Sequence, residues 1–254
     1  MKDLGGFEKY QATMADWVSA TMSAKGKGVP DPEDFSQPEL ELFNEVFRRF
    51  ADISEAVDNI ELCTRFVSAR TPRGRDLKLD AYLNYHISFY LQEIYILKER
   101  LKKYAKKVMR LRRDLGHAVE PRRYTKIIDL VERSLSSIVS ARGSHVHDRP
   151  FTGDEMRMLG MYSFLAVHSK GDTMWRAYAR AEYSDVRRVW VKRLVANQAE
   201  LKELLDAFFS FLHLEVFESG LATPPNNSSN PTLPRGAAQR RRQMGEEGQD
   251  EAEY

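Results

Sequence analysis

Apolar residues recur at spacings of three and four along most of this chain, the period of amphipathic helices. Phe7, Tyr10, Met14, Trp17, Val18, Thr21 and Met22 mark a first helix over residues 7–24, which Gly26, Gly28 and Pro30 end. Ser36 followed by Pro38 and Glu39 reads as an N-cap with a capping box and a proline in the first turn. From there Leu40, Phe43, Phe47, Phe50, Ile53, Val57, Ile60 and Val67 keep one stripe as far as Thr71-Pro72-Arg73-Gly74.

A further helix starts near Asp76, carries Leu79, Tyr82, His86, Phe89, Ile94, Leu97, Leu101, Tyr104, Val108 and Leu111 inward, and closes at Gly116. The next opens at Glu120-Pro121 and buries Tyr124, Ile127, Ile128, Val131, Leu135, Ile138 and Val139 before running out at about Ala141-Arg142-Gly143. A break follows from Gly143 to Phe151. The pattern Thr152-Gly153-Asp154-Glu155 then caps a shorter helix with Met156, Leu159, Phe164 and Leu165. The last pattern runs to about Glu218 through Trp175, Tyr178, Val186, Trp190, Leu194, Leu201, Leu205, Phe208, Leu212 and Phe217. No stretch alternates with the period of a strand. The expected fold is all-α, a bundle of about four or five main helices. Residues 1–38 read as an N-terminal segment with a short helix, 39–218 as the bundle, and 219–254 as a disordered tail. That tail, with Pro224-Pro225-Asn226-Asn227, Arg240-Arg241-Arg242 and a closing run of carboxylates, has little apolar surface to bury.

Composition narrows the class. At 254 residues the chain can bury a sizeable core, and no apolar run is long enough for a transmembrane helix. The N-terminus lacks the layout of a secretory signal, so a cytoplasmic location without membrane attachment is expected. The one cysteine, Cys63, falls among apolar helical positions and reads as a buried thiol, excluding a disulfide framework and a cysteine-rich zinc site. Net charge is only +2, but its distribution is uneven. Lys98, Arg100, Lys102, Lys103, Lys106, Lys107, Arg110, Arg112 and Arg113 crowd one helix, where only Glu99 and Asp114 oppose them. Lys102, Lys103, Lys106, Lys107, Arg110 and Arg113 are the residues expected to meet RNA phosphates, with Arg122, Arg123 and Lys126 extending the patch. The alternative is a solvated helix face. Tyr82, Tyr85, Phe89, Tyr90 and Tyr95 on the same helix read as core or interface rather than as base-stacking groups.

The segment with most chemistry is Arg142-Gly143-Ser144-His145-Val146-His147-Asp148. An arginine forks onto phosphate oxygens and a histidine moves a proton near neutral pH. Together they suit RNA cleavage by the ribose 2′-hydroxyl: His147 as general base or acid, Arg142 steadying the charge on phosphorus, and a cyclic phosphate and a 5′-hydroxyl as products. Ser144, His145 and Asp148 are supporting candidates. Other readings of the same residues are an Arg142 that caps a helix C-terminus, a His145/His147 metal pair, and a His147 satisfied in a loop.

The run Ser140 to Arg149, closing a helix of a helical bundle, resembles the Arg-x4–6-His signature of HEPN domains. Arg110 and Arg112 also stand at that spacing from His117, and it is the helix-end setting that singles out Arg142 and His147. Gly143 stands where active members typically carry a polar residue. The resemblance implies a dimeric bundle with Arg142 and His147 of both subunits lining one cleft. It also implies a metal-independent endoribonuclease needing no cofactor, in a bacterial defence or toxin–antitoxin system with an antitoxin as protein partner. A non-catalytic helical module that binds protein, nucleotide or nucleic acid is the alternative.

Overall fold

The computed structural model describes residues 4–24, 41–69, 78–147, 154–169 and 173–222, with backbone alone at 24, 137, 139–147, 154 and 155. All the regular elements among them are helical: α1 (Gly6–Ala24), α2 (Arg49–Ser68), α3 (Leu79–Asp114), α4 (Pro121–His147), α5 (Asp154–His168) and α6 (Thr173–His213). A π turn, Asn44–Arg48, leads into α2, and another, Leu214–Glu218, extends α6. The all-α bundle expected from periodicity is the fold observed. Among the described residues no helix is long and apolar enough to cross a membrane. Of the tail expected from residue 219, residues 219–222 are described, and Leu221 and Ala222 pack in the core, so the packed body extends past residue 218. The rest, from residue 223, lies outside the described residues.

Two long helices, α3 and α6, run side by side, with Arg112 of α3 reaching Glu215 just beyond α6. The neighbours α2 and α4 run antiparallel to α3. Arg100 of α3 donates to the Asp52 carbonyl near the start of α2, whereas Phe66, near its end, stacks on His86. On the other side Lys98 and Lys102 meet Glu132 of α4. Ile53, Ile60, Leu83, Ile94, Leu97, Tyr104, Val131, Leu194 and Phe208 are among the side chains that fill the core between these helices.

The N-terminal helix belongs to that same core. Tyr10, Met14 and Trp17 are buried, and Tyr10 packs on Phe50, Phe209 and Phe217 while its hydroxyl meets that of Tyr104 at 2.6 Å. Its first turn is pinned to α6: the Phe7 N–H donates to Asp206 at 3.0 Å, a carboxylate at the positive end of the helix. A Cβ at Gly6 would collide with the Asp206 carbonyl oxygen and the Ser210 hydroxyl, so this approach requires glycine.

Two boundaries differ in kind. Helix α3 stops where expected, at a left-handed Gly116 (φ 78°), with the His117 N–H closing a six-residue loop onto the Arg112 carbonyl at 2.9 Å. Helix α4, by contrast, does not end at Gly143. Its backbone stays helical to His147, so the break expected from Gly143 onward is absent over 143–147, and residues 148–151 of that expected break lie outside the described residues. One glycine costs about 1 kcal/mol in a helix interior, too little to stop a helix already carried by a packed face. In α5 the apolar pattern has two faces: Met156 and Leu159 are buried, while Met161, Phe164 and Val167 are exposed.

Candidate nucleic-acid interface

The cations of α3 divide into two sets once the fold surrounds them. On one flank, Lys98 and Lys102 pair with Glu99 and with Glu132 of α4; the Lys98–Glu132 contact is 2.8 Å and the Lys102–Glu99 contact 3.1 Å. Their side chains are only 13% and 18% exposed. The hydrogen bond to Glu132 raises the Lys102 pKa, and the same lysines, Lys102 first, lower that of Glu132. On the other flank Lys107 lies 3.6 Å from Glu45 and 3.9 Å from Glu41, ahead of α2. For Glu45, burial pushes its pKa up, but Arg49 and Lys107 outweigh it and the net shift is downward.

The second set points away from the bundle. Lys103, Lys106, Arg110 and Arg113 are exposed and have no carboxylate partner among the described residues. At 3.6 residues per turn they fall on one stripe of about 15 Å, opposite Leu101, Tyr104, Val108 and Leu111 in the core. Of the six residues expected to touch RNA, four thus form a free cationic face, and Lys102 and Lys107 are ion-paired. On α4, Arg122 and Lys126 are exposed near the same end, whereas Arg123 is drawn to Glu215 at 3.1 Å.

Arg112 is inward and part of a buried ionic knot. Its guanidinium lies 3.0 Å from Glu215 and donates to the carbonyls of Glu215 (2.7 Å) and Ala118 (2.9 Å) and to the Ser219 hydroxyl. The Tyr124 hydroxyl donates to Glu215 at 2.8 Å, and burial with this carboxylate beside it raises the Tyr124 pKa. The knot joins α3, α4 and the end of α6. Arg112 and Glu215 at its centre are only 9% and 8% exposed, so the knot suits structure rather than catalysis.

Toward its N-terminus the outer face of α3 is aromatic. Tyr85 is 65% exposed and lies parallel to Phe89 within 4°, centroids 6.4 Å apart. His86 sits between Phe66, stacked at 4.9 Å, and Tyr82, edge-on at 4.5 Å, and burial lowers its pKa. Of the aromatic residues expected in a core or interface, Tyr90 is buried, Tyr82, Phe89 and Tyr95 are half-buried, and Tyr85 is open.

Arg142, Ser144, His145 and His147 stand on the last turns of α4, where the backbone alone is described; Asp148 lies outside the described residues. Counting along the antiparallel α3–α4 pair from the Lys102–Glu132 contact, residues 142–147 lie about 15–22 Å further along the axis, level with the aromatic end of α3. Among the described residues no group of three or more His, Cys, Asp or Glu is placed to hold a metal. A groove of about 510 Å³ opens between α1, α2 and α6, lined by Phe7, Val57, Ile60, Leu201 and Leu205 with Arg65, Glu61, Lys202 and Asp206 at its rim. Arg65 pairs with Glu61 at 3.3 Å and Lys202 with Asp206 at 3.1 Å, which leaves Glu8 as the one further charge on the lining, so among the described residues the groove offers no free cation to an anionic ligand. In comparisons with known proteins, no family model, no curated protein and no solved structure matches the chain.

Proposed function

We propose that the protein is a helical module that binds nucleic acid through the outer face of α3. One observation carries this reading: the fold neutralises the flanking lysines with carboxylates from α4 and from the turn before α2, yet leaves Lys103, Lys106, Arg110 and Arg113 aligned and outward. Four like charges on one stripe repel one another, and phosphates of a polyanion relieve that repulsion while releasing their own counterions. The test is fluorescence anisotropy of labelled RNA and DNA with the wild type and with a Lys103→Gln/Lys106→Gln/Arg110→Gln/Arg113→Gln variant. The variant is expected to lose at least tenfold in affinity at low salt while keeping its helical circular dichroism. Equal binding by the two proteins overturns the reading.

A second reading is favoured by the register of α4. Residues 142–147 lie level, along the axis, with the aromatic end of the same helix α3 that carries the cationic stripe. In that reading the protein is a metal-independent endoribonuclease. His147 takes or gives the proton of the 2′-hydroxyl attack, Arg142 holds the phosphate, and Ser144, His145 and Asp148 support them. A homodimer with both Arg–His pairs in one cleft, and an antitoxin as protein partner, belong to this reading and come from the resemblance to HEPN domains.

A further inference from the structure

Cations along a helix hold a phosphate backbone of any kind, single- or double-stranded, so the α3 stripe alone does not choose between them. The aromatic end of the same face does. Tyr85 stands about five helical turns before Lys103, and so falls in line with the stripe rather than beside it. Between them on the same line lie Gln92, exposed and able to donate and accept, and Glu99, whose carboxylate is taken up by Lys102 at 3.1 Å. The Tyr85 ring is 65% exposed although it neighbours both Phe89 and His86. A ring supported from one side and bare on the other is a shelf for a flat partner.

The flat partner that fits a line of four free cations is a nucleobase. In a duplex both faces of a base are covered by its neighbours, and a ring on a protein surface reaches only the ends. In a single strand each base can turn out and stack on an aromatic side chain, independently of its sequence. From Tyr85 to Arg113 the face is about 42 Å long, room for several extended nucleotides.

We infer that the outer face of α3 is a single-strand site, with bases stacked at Tyr85 and phosphates held from Lys103 to Arg113. This rests on the proposed nucleic-acid reading of the cationic stripe and adds the choice of strand form. Duplex nucleic acid meets the cations only, and binds more weakly and without help from Tyr85.

The test compares an oligouridylate of about 12 nucleotides with a duplex of the same length, both labelled, against wild type, Tyr85→Ala, Tyr85→Phe and the four-fold stripe variant. Tyr85 is exposed, so neither substitution disturbs the core. Tyr85→Ala is expected to weaken single-strand binding by about tenfold and to leave duplex binding unchanged, with Tyr85→Phe binding like the wild type. If Tyr85→Ala changes nothing, or weakens both ligands alike, the single-strand inference fails. It then fails alone if the stripe variant has lost both ligands. If the stripe variant binds normally, the proposed function fails and takes this inference with it.

Discussion

Glu215 is the residue on which most of the buried polar structure turns. Its side chain is 8% exposed and Arg112 beside it 9% exposed, so each charge depends on the other, and Tyr124 and Arg123 complete the carboxylate's partners. Removing one member of a buried ion pair typically costs about 3–5 kcal/mol, because the remaining charge stays dry and unpaired. Glu215→Ala is expected to fall in that range by urea denaturation, and an Arg112→Met/Glu215→Leu double variant should recover much of the loss. A cost under about 1 kcal/mol for Glu215→Ala would show the knot to be wet.

His213 gives a second residue-scale expectation. It bridges Thr13 of α1 (3.2 Å from Nε2) and Glu218 (3.2 Å from Nδ1), under the rings of Tyr10 and Phe217. Burial lowers its pKa below the ordinary 6.5, Lys9 adds to this, and Glu218 only partly opposes it. A histidine with a depressed folded pKa binds fewer protons folded than unfolded, so its contribution is full above about pH 6.5 and is lost as pH falls through the folded value. His86, lowered by burial, acts in the same direction. Thermal melts between pH 7.5 and pH 5 should therefore show falling stability, with a shallower fall in His213→Gln. An unchanged slope in that variant would assign the effect elsewhere.

At the scale of elements, α3 carries three environments on one 36-residue helix. Its core face holds the bundle, its flanks are neutralised by Glu132, Glu41 and Glu45, and its outer face is free. The flanking pairs are partly exposed, so they contribute little stability; their consequence is to confine positive potential to one stripe. The salt dependence of binding counts the phosphates that stripe engages. Each contact adds about 0.7 to the slope of log K against log salt for a single strand. The four-fold variant is therefore expected to lower the slope by about 2–3 as well as the affinity. A lost affinity with an unchanged slope would mean that binding is not carried by these charges.

For the whole molecule, the arrangement of helices decides which groups can act together. The antiparallel α3–α4 pair sets the Arg142–His147 turns level with the aromatic end of α3, about 32–39 Å along the axis from Arg113. If RNA bound along α3 is cut there, wild type in EDTA should cleave mixed RNA to cyclic-phosphate ends, and Arg142→Ala and His147→Ala should not, while all three bind alike. Binding without cleavage in every condition would leave the chain a binding module. Helix α1 adds a second whole-molecule property. Through Tyr10, Phe7 and Thr13 it ties residues 6–24 to the C-terminal part of α6 and the π turn after it, closing the bundle across about 200 residues of chain.

The helices, their inward stripes and the absence of any strand pattern were legible in the sequence, because a 3.6-residue period is a local property that any packed partner will satisfy. So were the stop at Gly116 and the cationic character of α3. Aromatic density on a helix is ordinarily core, so the pattern places Tyr85 in a core or interface, and only the packing left it exposed. Charge in the sequence suggested one basic patch with two acidic residues near it. The tertiary structure brought Glu132, Glu41, Glu45 and Glu215 against it from elsewhere in the chain, turning Lys98, Lys102, Lys107 and Arg112 into structural partners. Pairing across helices depends on register and spacing between elements, which no local pattern encodes. Hence the sequence by itself determined that a helical bundle with one cation-rich helix forms, and only the fold decided which of those cations remain free to meet a partner.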